Sequence, residues 1–414
     1  MQVHAQPLPE TAQNVHEGVA TCATSVCHGK VSPDPESTVW LNEYRIWLRE
    51  DFHSRAYRTL QTQQSQAMAA KLGLPSAHAA DICLDCHADN IAVESRGRRF
   101  QISDGVGCEA CHGGAGQWLQ SHAEQGTSHA DNIAAGMYPT EQPAARARLC
   151  LSCHLGTRDK FATHAIMGAG HPRLSFELET FTVNQPAHYE VDADYSQRKP
   201  HTPSVNMWLS GLVLTSIQSL ELLQTDWFGG DTLMPELSFY QCHSCHHPMN
   251  DLRWESEGGS RALPPGSVRL NDGTLLVLET VLKALGSPAA TEVAQGRVSL
   301  HVQSVKSRSA VVAESKTLVA MLEPLVEQLG NRSYQSADLK LLRRQLAERA
   351  GAGDFRHFTS AEQIFLAIET ITITLDDQGS YEQQLDQLFA TVTDENDFVP
   401  KQFAVMSRKL RDSL

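Results

Sequence analysis

Apolar residues recur at helical spacing in the second half of this chain and only in fragments before it. From Ser204 to Gln224 the apolar positions Val205, Trp208, Leu209, Leu212, Ile217 and Leu220 fall on a helical repeat and predict one long helix. Its most apolar stretch, Met207 to Ile217, is broken by two serines and a glycine. It is also shorter than the roughly 18–20 residues a membrane span requires, so a core helix without a transmembrane role is expected. Farther on, Leu339, Leu342 and Leu346 mark another apolar stripe. Ser360-x-x-Gln363 precedes Ile364, Ile368 and Ile371, and Ser380-x-x-Gln383 precedes Leu385 and Leu388, both patterns of a helix start. Residues 260–414 therefore read as a bundle of about five helices joined by short connections. Before residue 200 the segments are short and punctuated by glycine and proline, which predicts short helices and loops. The composition changes at Ser256-Glu257-Gly258-Gly259-Ser260 and Pro264-Pro265-Gly266. The expectation is a mainly α protein with one domain over residues 1–254 and a second, helical one over 260–414.

Composition sharpens this picture. Only 41% of the 414 residues are hydrophobic, lean for the length, as if something other than side chains filled part of the interior. The net charge of −14 excludes nucleic acid as a partner, because phosphate binding needs a basic footprint. It suits a redox partner that presents a basic docking patch. The segment Met1-Gln2-Val3-His4-Ala5-Gln6 has neither the basic nor the apolar region of a signal peptide, so the numbering is expected to describe a processed or recombinant form.

The ten cysteines fall into five pairs, and every pair is followed at once by histidine. Four have the spacing C-x-x-C-H: Cys83 and Cys86 with His87, Cys108 and Cys111 with His112, Cys150 and Cys153 with His154, and Cys242 and Cys245 with His246. The first pair is wider, Cys22-Ala23-Thr24-Ser25-Val26-Cys27-His28. In chain order these are motifs I (Cys22–His28) to V (Cys242–His246). Cysteines one helical turn apart can form thioethers to the two vinyl groups of one haem. Histidine at the fifth position stacks above the first cysteine and can reach the iron. With 19 histidines in 414 residues, five such successions by accident have a chance on the order of one in a million or less. Disulfides or unmodified thiols are the alternative for the wide motif, where two extra residues must loop out. Zinc ribbons do not require the adjacent histidine. Five haem c groups are expected, four at minimum.

A second axial imidazole is sought among the other histidines, twelve of which precede residue 250. Four stand out: His53 after an amphipathic stretch with Trp40, Tyr44 and Trp47; His122 after the glycine run 113–116 and Trp118; and His164 and His171, which bracket Met167-Gly168-Ala169-Gly170. Glycine lets backbone approach a macrocycle closely. A fifth partner is open among His16, His129, His188, His201 and His243. Met137, Met167, Met207 and Met249 read as packing residues. Arg96, Arg98, Arg99, Arg146, Arg148, Arg173 and Arg198 are candidate propionate partners, with a solvated surface as the plain alternative.

These residues resemble the multihaem c-type cytochrome superfamily that includes cytochrome c-554, with pentahaem nitrite reductase and hydroxylamine oxidoreductase among its relatives. The resemblance lies between about Cys22 and Trp254: His53-Ser54-Arg55-Ala56, the stretch Gly105 to Gly113 around motif III, Trp118 to His122, and Gly168 to Pro172. It implies distal ligation by His53, His122 and His171, and haems packed in stacked and perpendicular pairs. No motif ends in lysine, which removes the clearest mark of nitrite-reductase-type catalysis. The expected function is electron transfer through mostly bis-histidine haems in a periplasmic or extracellular redox chain. Two alternatives stay open: an oxidoreductase acting on a small nitrogen or sulfur compound at one five-coordinate haem, and a homo-oligomer or filament that continues the haem chain between subunits.

Overall fold

The computed structural model describes residues 6–33, 39–229, 235–246, 263 and 267–414. Among these residues all regular structure is helical except two isolated β-bridges, His16 with Arg96 and Tyr240 with Leu270. The mainly α fold is the one the hydrophobic pattern predicts. The expected linker around residues 254–260, and Pro264-Pro265-Gly266 after it, lie outside the described residues. Backbone contacts divide the chain into two compact units, residues 1–174 with 181–202, and residues 175–180 with 203–414. The long helix and motif V thus group with the C-terminal helices and not with the first four motifs.

The first unit is built from short helices whose ends are set by local chemistry. The Thr62 hydroxyl accepts from Ser65 N at 3.2 Å and starts the Gln63–Lys71 helix. Pro143 occupies the first turn of Pro143–His154, where its missing N–H costs nothing. Three helices, Asp81–His87, Cys108–His112 and Pro143–His154, end on the histidine of a motif. The apolar cluster here is small: Leu60, Ala69, Ala77, Leu84 and Ala88, with Tyr57, Leu74, Cys83 and Ile102 against it. Three of its five buried members are alanine, so side chains alone bury little apolar surface in this unit.

The second unit has an ordinary helical core. The predicted long helix runs Ser204–Leu222 and is buried nearly all round, because Val205, Trp208, Leu209, Leu212, Val213, Ile217 and Leu220 cover more than one face. It packs on Arg308–Gly330, and Asn206 Nδ2 donates to the Gly330 and Arg332 carbonyls at 2.8 Å each, capping that helix's end. After residue 260 there are seven α-helices among the described residues, where about five were expected: Gly273–Ala284, Ala289–Ser304, Arg308–Gly330, Ser336–Ala352, Phe358–Thr374, Glu382–Phe389 and Pro400–Ser413. Leu339, Leu342 and Leu346 are buried as their stripe predicts. Neither expected capping box forms. Ser360 sits inside the first turn and its hydroxyl donates back to His357 O at 2.9 Å, while Ser380 closes a short 3-10 turn.

A buried polar network joins three of these helices and the segment before them. Asp272 Oδ2 accepts from Arg297 Nη1 at 2.7 Å and pairs with His301 Nε2 at 2.8 Å and Arg269 Nη2 at 3.6 Å. Arg297 Nε donates to Glu279 at 2.9 Å, and Arg349 Nη1 reaches the other Glu279 oxygen at 3.0 Å. Burial alone would raise the Asp272 carboxyl, yet His301, Arg297 and Arg269 override it and hold the group well below its ordinary value.

Two predictions follow from this packing. Asp272→Asn removes the carboxylate shared by Arg297, His301 and Arg269, leaves Arg297 with Glu279 alone, and should cost about 3 kcal/mol at neutral pH. A depressed folded-state pKa gives stability that is complete above the unfolded value of about 3.9 and is lost as pH falls toward the folded value. Urea denaturation followed by far-ultraviolet circular dichroism should therefore show a parent–variant gap that is flat above about pH 5 and narrows below about pH 4. Secondly, a Cβ on Gly211 would lie 2.4 Å from the Leu178 Cβ, whereas one on Gly296 would meet the movable Leu318 Cδ2 at 2.4 Å. Both substitutions to alanine gain helix propensity, but Gly211→Ala should lower the melting temperature and Gly296→Ala should lower it less.

Candidate functional site: paired imidazoles at the cysteine motifs

All ten cysteines are free of disulfides. In motifs II, III and IV both cysteines lie on a helix with the histidine as its last residue, so all three side chains share one face. Motif I reaches the same closure by another route. Its two additional residues form a turn, with Cys27 N bonded to Thr24 O at 3.0 Å, and His28 N still returns to Cys22 O at 3.1 Å. The equivalent bond in motif V, His246 N to Cys242 O, is 2.8 Å. Gly29 makes the turn of motif I feasible, because a Cβ there would lie 2.0 Å from Ala23 O.

Four motif histidines each face a histidine from elsewhere in the first unit. His28 faces His122 with ring centroids 6.2 Å apart, His87 faces His171 at 6.3 Å, His112 faces His188 at 6.1 Å, and His154 faces His53 at 6.2 Å. Separations of this size also occur in aromatic ring pairs, and they match a second arrangement. Two metal–imidazole bonds of about 2.0–2.1 Å each, plus the distance from nitrogen to ring centre on either side, span such a gap. The donor sets thus fit one metal atom between each pair, with no third protein ligand. Among the described residues no group of three or more histidine, cysteine, aspartate or glutamate side chains forms a metal cage.

Hydrogen bonding selects the nitrogen left for a metal. His28 Nδ1 donates to Glu43 at 2.9 Å, His53 Nδ1 to Asp51 at 2.8 Å, His87 Nδ1 to Ala56 O at 3.2 Å, His122 Nδ1 to Trp118 O at 3.3 Å, and His171 Nδ1 to Pro172 O at 2.8 Å. An imidazole whose Nδ1–H is engaged presents an Nε2 lone pair, the form that binds a metal. Burial adds to this by keeping rings neutral. It brings His112 down to about 3, with His188 next in effect, and brings His154 down to about 4, helped by His53. The two carboxylate-bound rings behave oppositely: the Glu43 hydrogen bond raises His28, and the Asp51 hydrogen bond raises His53. Asp51 itself would be raised by burial, but His53 and the Gln185 amide at 3.1 Å hold it at about 2.

Other expected ligands are placed differently. His188, one of five histidines left open, faces His112, and none of the four pairs includes His164, which opens the helix His164–Ala169 after Thr163. His129 and His243 spend Nε2 on Glu141 at 3.1 Å and on Glu395 O at 3.0 Å. His16 is fully buried against Asp89, with Nδ1 at 2.7 Å from its carboxylate, and His201 is exposed. Motif V is held in the second unit by the Tyr240–Leu270 bridge and by His243; the residues that follow His246 lie outside the described set. The glycine run 113–116 has a different use from the one expected. A Cβ on Gly114 would meet Asn14 O and His16 Cδ2 at 2.6 Å each, so the run seats the N-terminal segment. Among the arginines, Arg146 donates to Thr140 O at 2.7 Å, Arg96 to Ile91 O at 2.8 Å, and Arg198 pairs with Asp194.

Sequence reasoning missed Glu109, in the middle of motif III. Its buried carboxylate accepts from Glu17 N at 2.8 Å, Gly18 N at 2.7 Å and Ala115 N at 2.7 Å, tying motif III to the strand of chain that leads into motif I. The motifs also touch one another. Cys22 lies beside Cys108, Cys86 beside Cys153, and Cys111 near Cys150. This contact order runs I, III, IV, II.

Over residues 21–113 the chain matches the family described as cytochrome c554 and c-prime. The match takes in motifs I, II and III, under a quarter of the chain, and stops short of the Trp118–His122 and Gly168–Pro172 segments. No curated protein and no solved structure matches the chain.

Proposed function

We propose that this chain, similar over its first three motifs to c-type cytochromes of electron transfer, is a multihaem carrier with haem c at all five motifs. In this reading the haems of motifs I to IV are each held by two histidines. The observation that carries the reading is the set of four facing imidazole pairs, each joining a motif histidine to a histidine distant in sequence at nearly one separation, 6.1 to 6.3 Å. Thioether attachment would fall to Cys22 and Cys27, Cys83 and Cys86, Cys108 and Cys111, Cys150 and Cys153, and Cys242 and Cys245. When bound, the haems supply one-electron chemistry. The protein's part is to fix His28, His53, His87, His122 and His171 through Nδ1, to keep His87, His112, His154 and His188 neutral by burial, and to bring successive motifs together in the order I, III, IV, II.

The same pairs weigh against a catalytic role for the first four motifs, since a substrate would need a motif imidazole with nothing opposite. The −14 charge supports a partner with a basic patch, and covalent haem attachment supports an extracytoplasmic location. Among the described residues no helix is long and apolar enough to cross a membrane.

Natively matured protein should exceed the polypeptide mass by about five haem groups, one per motif. Its ferric spectrum should be low-spin at the four paired sites. His188→Ala should introduce a high-spin component that binds cyanide, and His129→Ala should not. A colourless protein of bare polypeptide mass would sink the reading. A His188→Ala spectrum identical to the parent's would sink the assignment of His188.

A further inference from the structure

Lys160 is the one lysine among the described residues whose side chain is almost wholly buried, at 6% exposure, and it sits where two motifs meet. Its ammonium lies 3.0 Å from the Asp85 carbonyl, inside motif II, and 3.4 Å from Cys153 Sγ, in motif IV. Its counter-ion is Glu10, from the N-terminal segment, whose side chain is 33% exposed. Burial works against both charges: it outweighs Lys160 and leaves the Glu10 carboxyl raised, whereas Cys153 and then Glu10 outweigh it at Lys160 and hold the ammonium above its ordinary value.

The pair is asymmetric. The lysine charge is enclosed and the glutamate charge is partly open to water, which screens it. The field on the motif side is therefore net positive, in a region of low effective dielectric where a charge acts over several ångströms. A haem gains one negative charge on reduction, so a positive neighbour favours the reduced form. The Asp85 carboxylate accepts from the Asn90 amide at 2.7 Å.

We propose that Lys160, held by Glu10, is a tuning residue that raises the reduction potentials of the haems at motifs II and IV. The proposal rests on the reading that those motifs carry haem. It makes this end of the contact order the place where electrons settle, and it assigns a function to a lysine outside every ligand set.

The test is anaerobic spectropotentiometric titration of natively matured parent, Lys160→Met, Lys160→Arg and Glu10→Gln, with haem content measured first by the pyridine haemochrome. Lys160→Met should move two of the resolved midpoints down by roughly tenfold in the reduction equilibrium, about 59 mV for a one-electron couple. Glu10→Gln should move the same midpoints up, and Lys160→Arg should leave them near the parent values. Opposite signs are the signature, because a merely structural role would move both variants in one direction. If Lys160→Met matures poorly, the rise in Glu10→Gln and the parent-like Lys160→Arg carry the same sign test. Full haem content with unmoved midpoints, or with both variants shifted alike, overturns the proposal alone. A parent without haem overturns the functional reading as well.

Discussion

Pairs of imidazoles held at one recurring distance, five of the eight rings with Nδ1 already spent, form the constraint around which the first unit is arranged. The separation of about 6 Å recurs in all four pairs. Something in the protein must therefore hold each ring from behind. Backbone carbonyls of Ala56, Trp118 and Pro172 do so for three rings, and the carboxylates of Glu43 and Asp51 do so for two. These acceptors explain otherwise unremarkable stretches of chain. Asp51 precedes a 3-10 turn that aims His53, and Pro172 turns the chain directly after His171. If the carbonyls and carboxylates were elsewhere, the rings would choose another tautomer and the pairs would not form.

The two units obtain their stability differently. Residues 203–414 fold as soluble helical proteins usually do, with large aliphatic and aromatic side chains meeting in a dry core and buried charges neutralised in a network. In the first unit one apolar cluster is only alanine and leucine at its buried centre, and three short helices end on a motif histidine. A lean composition, 41% hydrophobic, is the average of these two styles.

Much of this was legible in the amino-acid order, for a reason that differs from feature to feature. The cysteine motifs need no tertiary information, since their chemistry is complete within five to seven residues. The Ser204–Leu222 helix and the Leu339, Leu342, Leu346 stripe are local periodicities and emerged as read. His53, His122 and His171 were singled out by their context and do face motif histidines. His188 stays open among five because no glycine run flanks it in Pro186-Ala187-His188-Tyr189; only the third dimension brings it to His112. Glu109 was invisible because its partners, Glu17 and Gly18, are some ninety positions away in the chain. The capping boxes failed because Ser360 and Ser380 each found a nearer carbonyl or turn.

The Glu109 carboxylate carries a consequence for biosynthesis. The segment 14–18 is seated by the loop after motif III and by the carboxylate within it, so it has no place to dock until roughly the first 116 residues have emerged. During synthesis Cys22 and Cys27 would consequently remain on an open tether. Closure of the N-terminus becomes a late event, and under the proposed function it would follow attachment of the first haem.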